Sequence, residues 1–116
     1  MGWLRGILCR SRIERIRNEI TREETGQKET VIDRIRKRRL TWFGHVTRME
    51  EKRLPATVLY GQTEGERSRG RPKKTWMKNV MEDLEMKGLD IRRAVDKTRD
   101  RATWRRLVKA SSSACA

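Results

Sequence analysis

Apolar residues recur at helical spacing wherever the chain is regular, and alternating strand patterns are absent. Ser11 and Glu14 have the spacing of a capping box, Ile13, Ile16 and Ile20 follow on one face, and Gly26 supplies a stop. A helix is therefore predicted over 12–25, with a stripe narrow enough to need a partner. A second helix is predicted from Thr30 to Arg48. In it Ile32, Ile35, Trp42, Phe43, Val46 and Met49 fall within an arc of about 120°. On the other side Arg34, Arg38, Thr41, His45 and Arg48 fall within about 80°. Arg39 lies inside the apolar arc, where its stem can pack while its head pairs or reaches water. Gly44 lowers helix stability by roughly 1 kcal/mol against Ala and marks a bend or a close contact.

Pro55 and Gly61 bracket a short helix over 55–60. Residues 62–74 are rich in Gly, Arg and Lys with almost no apolar content, and read as a loop. Pro72 suits the first turn of a helix over 72–87, in which Trp76, Met77, Val80, Met81 and Leu84 span an arc of about 140°. Gly88 ends it, Asp90 can cap a helix over 91–97, and a last helix near 99–109 carries Ala102, Trp104, Leu107 and Val108. The expectation is an all-α chain of four or five short helices joined by basic loops, with a small core and partly disordered ends. By sequence character it divides into helices over 1–61, the basic loop 62–74, helices over 75–110 and a disordered tail 111–116.

Composition sharpens this picture. Of 116 residues, 30 are Lys or Arg and 16 Asp or Glu, a formal net charge of +14. Leu, Ile, Val and Phe number only 22, close to the fraction of roughly 20% below which highly charged chains are suspected of disorder. So small an apolar inventory argues against an autonomous enzyme and for a basic helical piece that docks on something else. Charge of this size is relieved by polyanions, nucleic acid first, because Lys and Arg release condensed counterions from phosphates. No stretch approaches the roughly 20 apolar residues of a membrane span. Neither a signal peptide nor a lipidation motif is legible, and Cys9 and Cys115 form neither a disulfide framework nor a zinc site. A reducing compartment, nucleus or cytoplasm, is expected.

Candidate chemistry is confined to cations. Arg34-Ile35-Arg36-Lys37-Arg38-Arg39 carries five positive charges in six residues, suited to a phosphate backbone or a nuclear import signal. Arg67-Ser68-Arg69-Gly70-Arg71-Pro72-Lys73-Lys74 contains Gly-Arg-Pro among basic residues, the pattern of an AT-hook or of a general phosphate-contacting loop. The candidate nucleic-acid-binding residues are Arg34, Arg36, Lys37, Arg38, Arg39, Arg48, Arg67, Arg69, Arg71, Lys73 and Lys74. His45, the single histidine, reads as a surface or interface residue. Trp42, Trp76 and Trp104 read as core, and with them Ile35, Phe43, Val46, Val80, Leu84 and Leu107. Glu82, Asp83 and Glu85 read as a solvated, salt-bridged face beside Lys78 and Lys87. No nucleophile, paired carboxylates, phosphate-cradling loop or metal cluster is legible, so no catalytic or metal residues, no cofactor and no small-molecule substrate are expected.

One string carries more than composition. Arg36-Lys37-Arg38-Arg39-Leu40-Thr41-Trp42-Phe43-Gly44-His45-Val46-Thr47-Arg48-Met49 resembles a segment near the C-terminus of reverse transcriptases from non-LTR (LINE-type) retrotransposons. Arg15 to Glu19, Arg53-Leu54-Pro55, Val58 to Gly61, Arg67 to Trp76 and Asp100 to Arg105 resemble neighbouring stretches of that family in the same order. The resemblance covers residues 3–108. It implies a non-catalytic C-terminal fragment, thumb-like and downstream, without the polymerase's catalytic aspartates or the endonuclease. RNA or DNA backbone would then be the partner, together with the rest of a reverse transcriptase. Two alternatives stand beside it: a protein-interaction helical remnant, and an AT-hook-like nuclear DNA-binding protein.

Overall fold

The computed structural model describes residues 1–62, 65–66 and 69–110. The predicted site residue Arg67 and the tail 111–116 lie outside the described residues. Among those described there are seven α-helices, one 3-10 turn and no strand. The helices are α1 (Gly2–Ile7), α2 (Asn18–Glu24), α3 (Val31–Thr47), α4 (Leu54–Tyr60), α5 (Trp76–Glu85), α6 (Ile91–Thr98) and α7 (Arg101–Lys109). The chain is all-α, with more and shorter elements than the four or five expected. Packing groups it into two compact units, Met1–Arg34 and Ile35–Ala116, a different cut from the one drawn on sequence character at residues 61 and 74.

In the first unit the expected helix over 12–25 is two pieces. The capping box forms: Ile13 N–H donates to Ser11 Oγ at 3.3 Å and Ser11 N–H to Glu14 Oε1 at 2.9 Å. It caps only the 3-10 turn Arg12–Glu14, because Arg15 turns left-handed at φ 50° and ends it. The break takes Ile13 out of register with Ile16 and Ile20, and Ile13 and Ile20 are exposed. Leu4 of α1 and Thr21 of α2 are buried instead. Arg5 ties the pieces together, donating to the Ile16 carbonyl at 3.2 Å and to Asn18 Oδ1 at 2.9 Å. A second reciprocal cap opens α3, where Thr30 N–H donates to Asp33 Oδ2 at 3.0 Å and Asp33 N–H to Thr30 Oγ1 at 3.1 Å.

The second unit is built around Leu40 and Phe43 of α3, Val80 and Leu84 of α5, Ala94 of α6, and Trp104 and Val108 of α7. Phe43 meets Trp104 at 6.0 Å and Trp76 at 6.5 Å between ring centroids, both tilted, the geometry in which aromatic quadrupoles attract. The expected core is corrected at three places. Ile35, Trp42 and Trp76 are exposed by 49%, 50% and 38%, whereas Leu40 and Val108 are buried. The buried sector of α3 is rotated towards Leu40, so Ile32 and Ile35 at its start face solvent. The helix expected over 72–87 begins at Trp76, since Thr75 is extended and caps it by accepting from Lys78 N–H at 3.3 Å.

Gly44 is the close contact that its helix-weakening character suggested. A Cβ there would lie 2.1 Å from Nε1 and 2.4 Å from Cδ1 of Trp104. The same indole N–H donates to the Leu40 carbonyl at 3.0 Å, so the ring fills a notch one helical turn long. Nearby, Thr47 and Thr98 hydroxyls meet at 2.9 Å, and Arg48 donates to the Thr98 carbonyl at 2.9 Å, closing the end of α6 onto α3.

Gly44→Ala should therefore destabilise the chain by about 1–3 kcal/mol in urea titrations, although Ala is the better helix former by about 1 kcal/mol. In a Trp104→Leu background the clash is absent, and the same substitution should become neutral or stabilising. A destabilisation of equal size in both backgrounds would show that the indole is not what excludes the methyl.

Candidate nucleic-acid interface

Two helices far apart in sequence form one cationic groove in the second unit. From α3 and the residue following it come Arg38, Thr41, Trp42, His45 and Arg48, and from α7 Arg101, Trp104, Arg105, Val108 and Lys109. The groove has a volume of about 720 Å³. That lies within the roughly 300–1,000 Å³ of clefts that take small ligands. Among the described residues that line it, five are Arg or Lys and none is acidic. Trp104 forms an apolar floor, its N–H already committed to Leu40. Trp42 and His45 lie with ring centroids 5.3 Å apart and planes tilted by 44°.

The groove exists because helical periodicity aligns its parts. Residues 38, 41, 42, 45 and 48 project from one side of the helix, and 101, 105 and 109 recur every fourth residue on α7. Seating Trp104 against Gly44 brings those sides together. The price in electrostatics is visible at Arg48, whose pKa is lowered first by burial and second by the neighbouring Arg101 guanidinium. Leaving half of Trp42 in water forfeits roughly 2–3 kcal/mol of hydrophobic burial. A groove with crowded cations and an exposed indole is poorly served by the protein's own groups and well served by an anion that carries an apolar face.

The predicted cations do not converge on one place. Arg38 and Arg48 enter the groove, Arg48 also closing α6 through Thr98. Arg39 Nη1 meets Asp83 Oδ2 at 2.8 Å, and Arg36 Nε lies 3.6 Å from Asp83 Oδ1. Asp83 is buried, a correction to the solvated face expected for it: α5 turns it inward against α3. Lys37 lies on α3 with its charge felt by Lys87, whose pKa is lowered first by burial and then by Lys37. Lys87 donates to the Leu107 and Ala110 carbonyls at 3.1 and 2.5 Å, where a cation opposes the free carbonyl end of α7. Arg34 belongs to the first unit, with Nε 3.5 Å from Glu29. Arg69 is exposed, and Arg71, Lys73 and Lys74 line a separate cleft with Lys78 and Glu82. That cleft holds its own counter-charge, for Lys74 Nζ meets Glu82 Oε2 at 2.6 Å, a bond that lowers the Glu82 pKa.

Arg101, Arg105 and Lys109 were not among the predicted site residues. Their signal was present as a four-residue repeat on the helix that carries Trp104. What the sequence could not show is that this helix packs beside His45 and Arg38.

Among the described residues no helix is long and apolar enough to cross a membrane, and no cluster of His, Cys, Asp or Glu could hold a metal ion. The chain matches no family model, no curated protein and no solved structure.

Asp83, on the other side of α3, gives the fold a signature in pH. Burial, the largest influence, raises its pKa, against the opposing pull of Arg39 and Arg36. The folded carboxylate thus binds its proton at higher pH than the unfolded one. Between those two pKa values the folded state holds more protons, so lowering the pH through that interval stabilises the fold. Asp83→Asn cannot titrate. The urea-unfolding difference, native chain minus Asp83→Asn, should move in favour of the native chain as the pH falls from neutral through that interval. Movement the other way would mean that the two guanidinium groups outweigh burial.

Proposed function

We propose that the chain is a non-catalytic nucleic-acid-binding region that grips RNA or DNA through its phosphates, without regard to base sequence. The observation that carries this reading is the groove of Arg38, Arg48, Arg101, Arg105 and Lys109, in which no carboxylate stands among the described lining residues. Phosphates would supply that balance, and release of their counterions would supply the driving force. The resemblance of residues 3–108 to the C-terminal part of LINE-type reverse transcriptases supports the same reading, since that region follows a polymerase that must hold template and primer. On this view the chain belongs to the region beyond the polymerase palm. Its work is retention of nucleic acid, and chemistry is left to other parts of such an enzyme.

A second reading has its own observation. Trp42, Val46, Leu54, Val58, Trp76 and Met77 line an apolar groove of about 640 Å³, with Leu54 and Val58 exposed by 79% and 76%. Exposed apolar surface of this kind favours a protein-docking role. Salt separates the two readings, because phosphate binding weakens steeply as salt rises while apolar docking does not.

Binding of labelled RNA and DNA strands, followed by anisotropy between about 50 and 200 mM salt, should give a steep inverse slope. Replacing Arg38, Arg101 and Arg105 together with Ala should reduce the slope by about 2–3, close to one counterion for each lost phosphate contact. Replacing Arg71, Lys73 and Lys74, which line the separate cleft, should reduce it less, because Lys74 already has Glu82. An unchanged slope in the groove variant, with circular dichroism intact, would remove the groove from the binding surface.

A further inference from the structure

Phosphate binding alone gives no use for the exposed indole of Trp42, which borders the cationic groove on one side and the apolar groove on the other. Trp42 is 50% exposed although the same helix buries Leu40, Phe43 and Val46. His45 leans on it from one turn further along the helix, at 5.3 Å and 44°, and so restricts how the indole can turn. The floor beside it is the buried ring of Trp104, which has no hydrogen-bond donor left to offer. Arg38 and Arg105 line the same groove. The ligand that fits is therefore flat and apolar on one side and anionic on the other.

A nucleotide has that form, and its base presents a free face only when it is not stacked within a duplex. Base stacking on aromatic side chains, with the backbone tracked by cations, is how single strands are held without sequence preference. Duplex DNA offers phosphates alone and would leave the indole wet. Resting on the phosphate-binding reading above, we propose that the groove between α3 and α7 is a single-strand site, in which one unpaired base stacks on Trp42 while Arg38 and Arg105 hold the adjoining phosphates.

The proposal separates bases from backbone, and so does its test. The full chain is titrated with four fluorescent ligands of equal length: single-stranded RNA, single-stranded DNA, the DNA duplex, and a DNA strand whose bases are removed to leave sugar and phosphate. Base-bearing single strands should bind between about 5- and 150-fold more tightly than the abasic strand, the range expected for one stacked base. Trp42→Ala should abolish that preference, bringing the base-bearing strands down towards the affinity of the abasic strand. Trp42→Phe, which keeps a ring, should retain most of the preference and guards against a merely misfolded Ala variant. RNA and DNA strands should both show it, because every base has a face to stack.

Equal affinity for base-bearing and abasic strands would overturn the stacking site and leave phosphate binding standing. Tighter binding of the duplex than of either single strand would overturn it as well. A Trp42→Ala variant that loses abasic and base-bearing strands alike would make Trp42 a structural residue only. Failure to bind any of the four ligands at low salt would overturn the stacking site together with the phosphate-binding reading on which it rests.

Discussion

The larger unit depends on one indole. Trp104 must find both room for a large ring and an acceptor for its N–H, since burying the donor unpaired would cost about 1–3 kcal/mol. Gly44 supplies the room and the Leu40 carbonyl supplies the acceptor, four residues apart on the same helix. A glycine inside a helix weakens it by about 1 kcal/mol. Burying a Trp in a core is worth more, since its removal typically costs 3–5 kcal/mol, roughly. The exchange is favourable, and it fixes the distance and rotation of α7 against α3 more tightly than interchangeable aliphatic contacts would.

That fixed geometry is what holds like charges together. Arg38, Arg48, Arg101, Arg105 and Lys109 repel one another across the groove, and on a loosely packed pair of helices they would drift apart. The other side of α3 is treated differently. There Asp83 is buried against Arg36 and Arg39, so the charge of that stretch is met by a carboxylate from α5. One basic run thus has two fates, and the difference between them is the presence or absence of an acid. Cations balanced by the chain's own carboxylate hold the fold. Among the described residues lining the groove, the cations have no carboxylate beside them.

Helical periodicity made much of this legible. The bounds expected for α3, α4 and α6 agree with the structure to within a residue or so; Pro55 and Gly61 act locally and can be read locally, while Asp90 stands at the N-cap of α6 without a side-chain capping bond. Gly44 was recognisable as a bend or a close contact, though not which, since its neighbour lies 64 residues from Leu40. Arg15 was not legible, because nothing in its side chain requires the left-handed turn that splits the first expected helix. Nor was the buried sector of α3. Ile35 and Trp42 look as apolar as Leu40 and Phe43, and only packing against α5 and α7 decides which of them are covered. Asp83 was misjudged for a related reason: a carboxylate beside lysines reads as solvated until two arginines from another helix are placed over it.

The groove was half legible in the same sense. Arg38, His45 and Arg48 were grouped by their own helix, but Arg101, Arg105 and Lys109 join them only through the contact of Trp104 with Gly44. This couples two strings that stand far apart in the chain. Arg38 to Arg48 carries the notch and one cationic face, while Asp100 to Arg105 carries the ring that fills it and part of the other face. Asp100 also caps α7 by accepting from Ala102 N–H at 3.0 Å, setting where the helix begins and hence where Trp104 points. Neither string can do its part without the other, since a notch without the indole is a cavity and an indole without the glycine has no seat. The two strings are therefore parts of one physical device, built by the contact of Trp104 with Gly44.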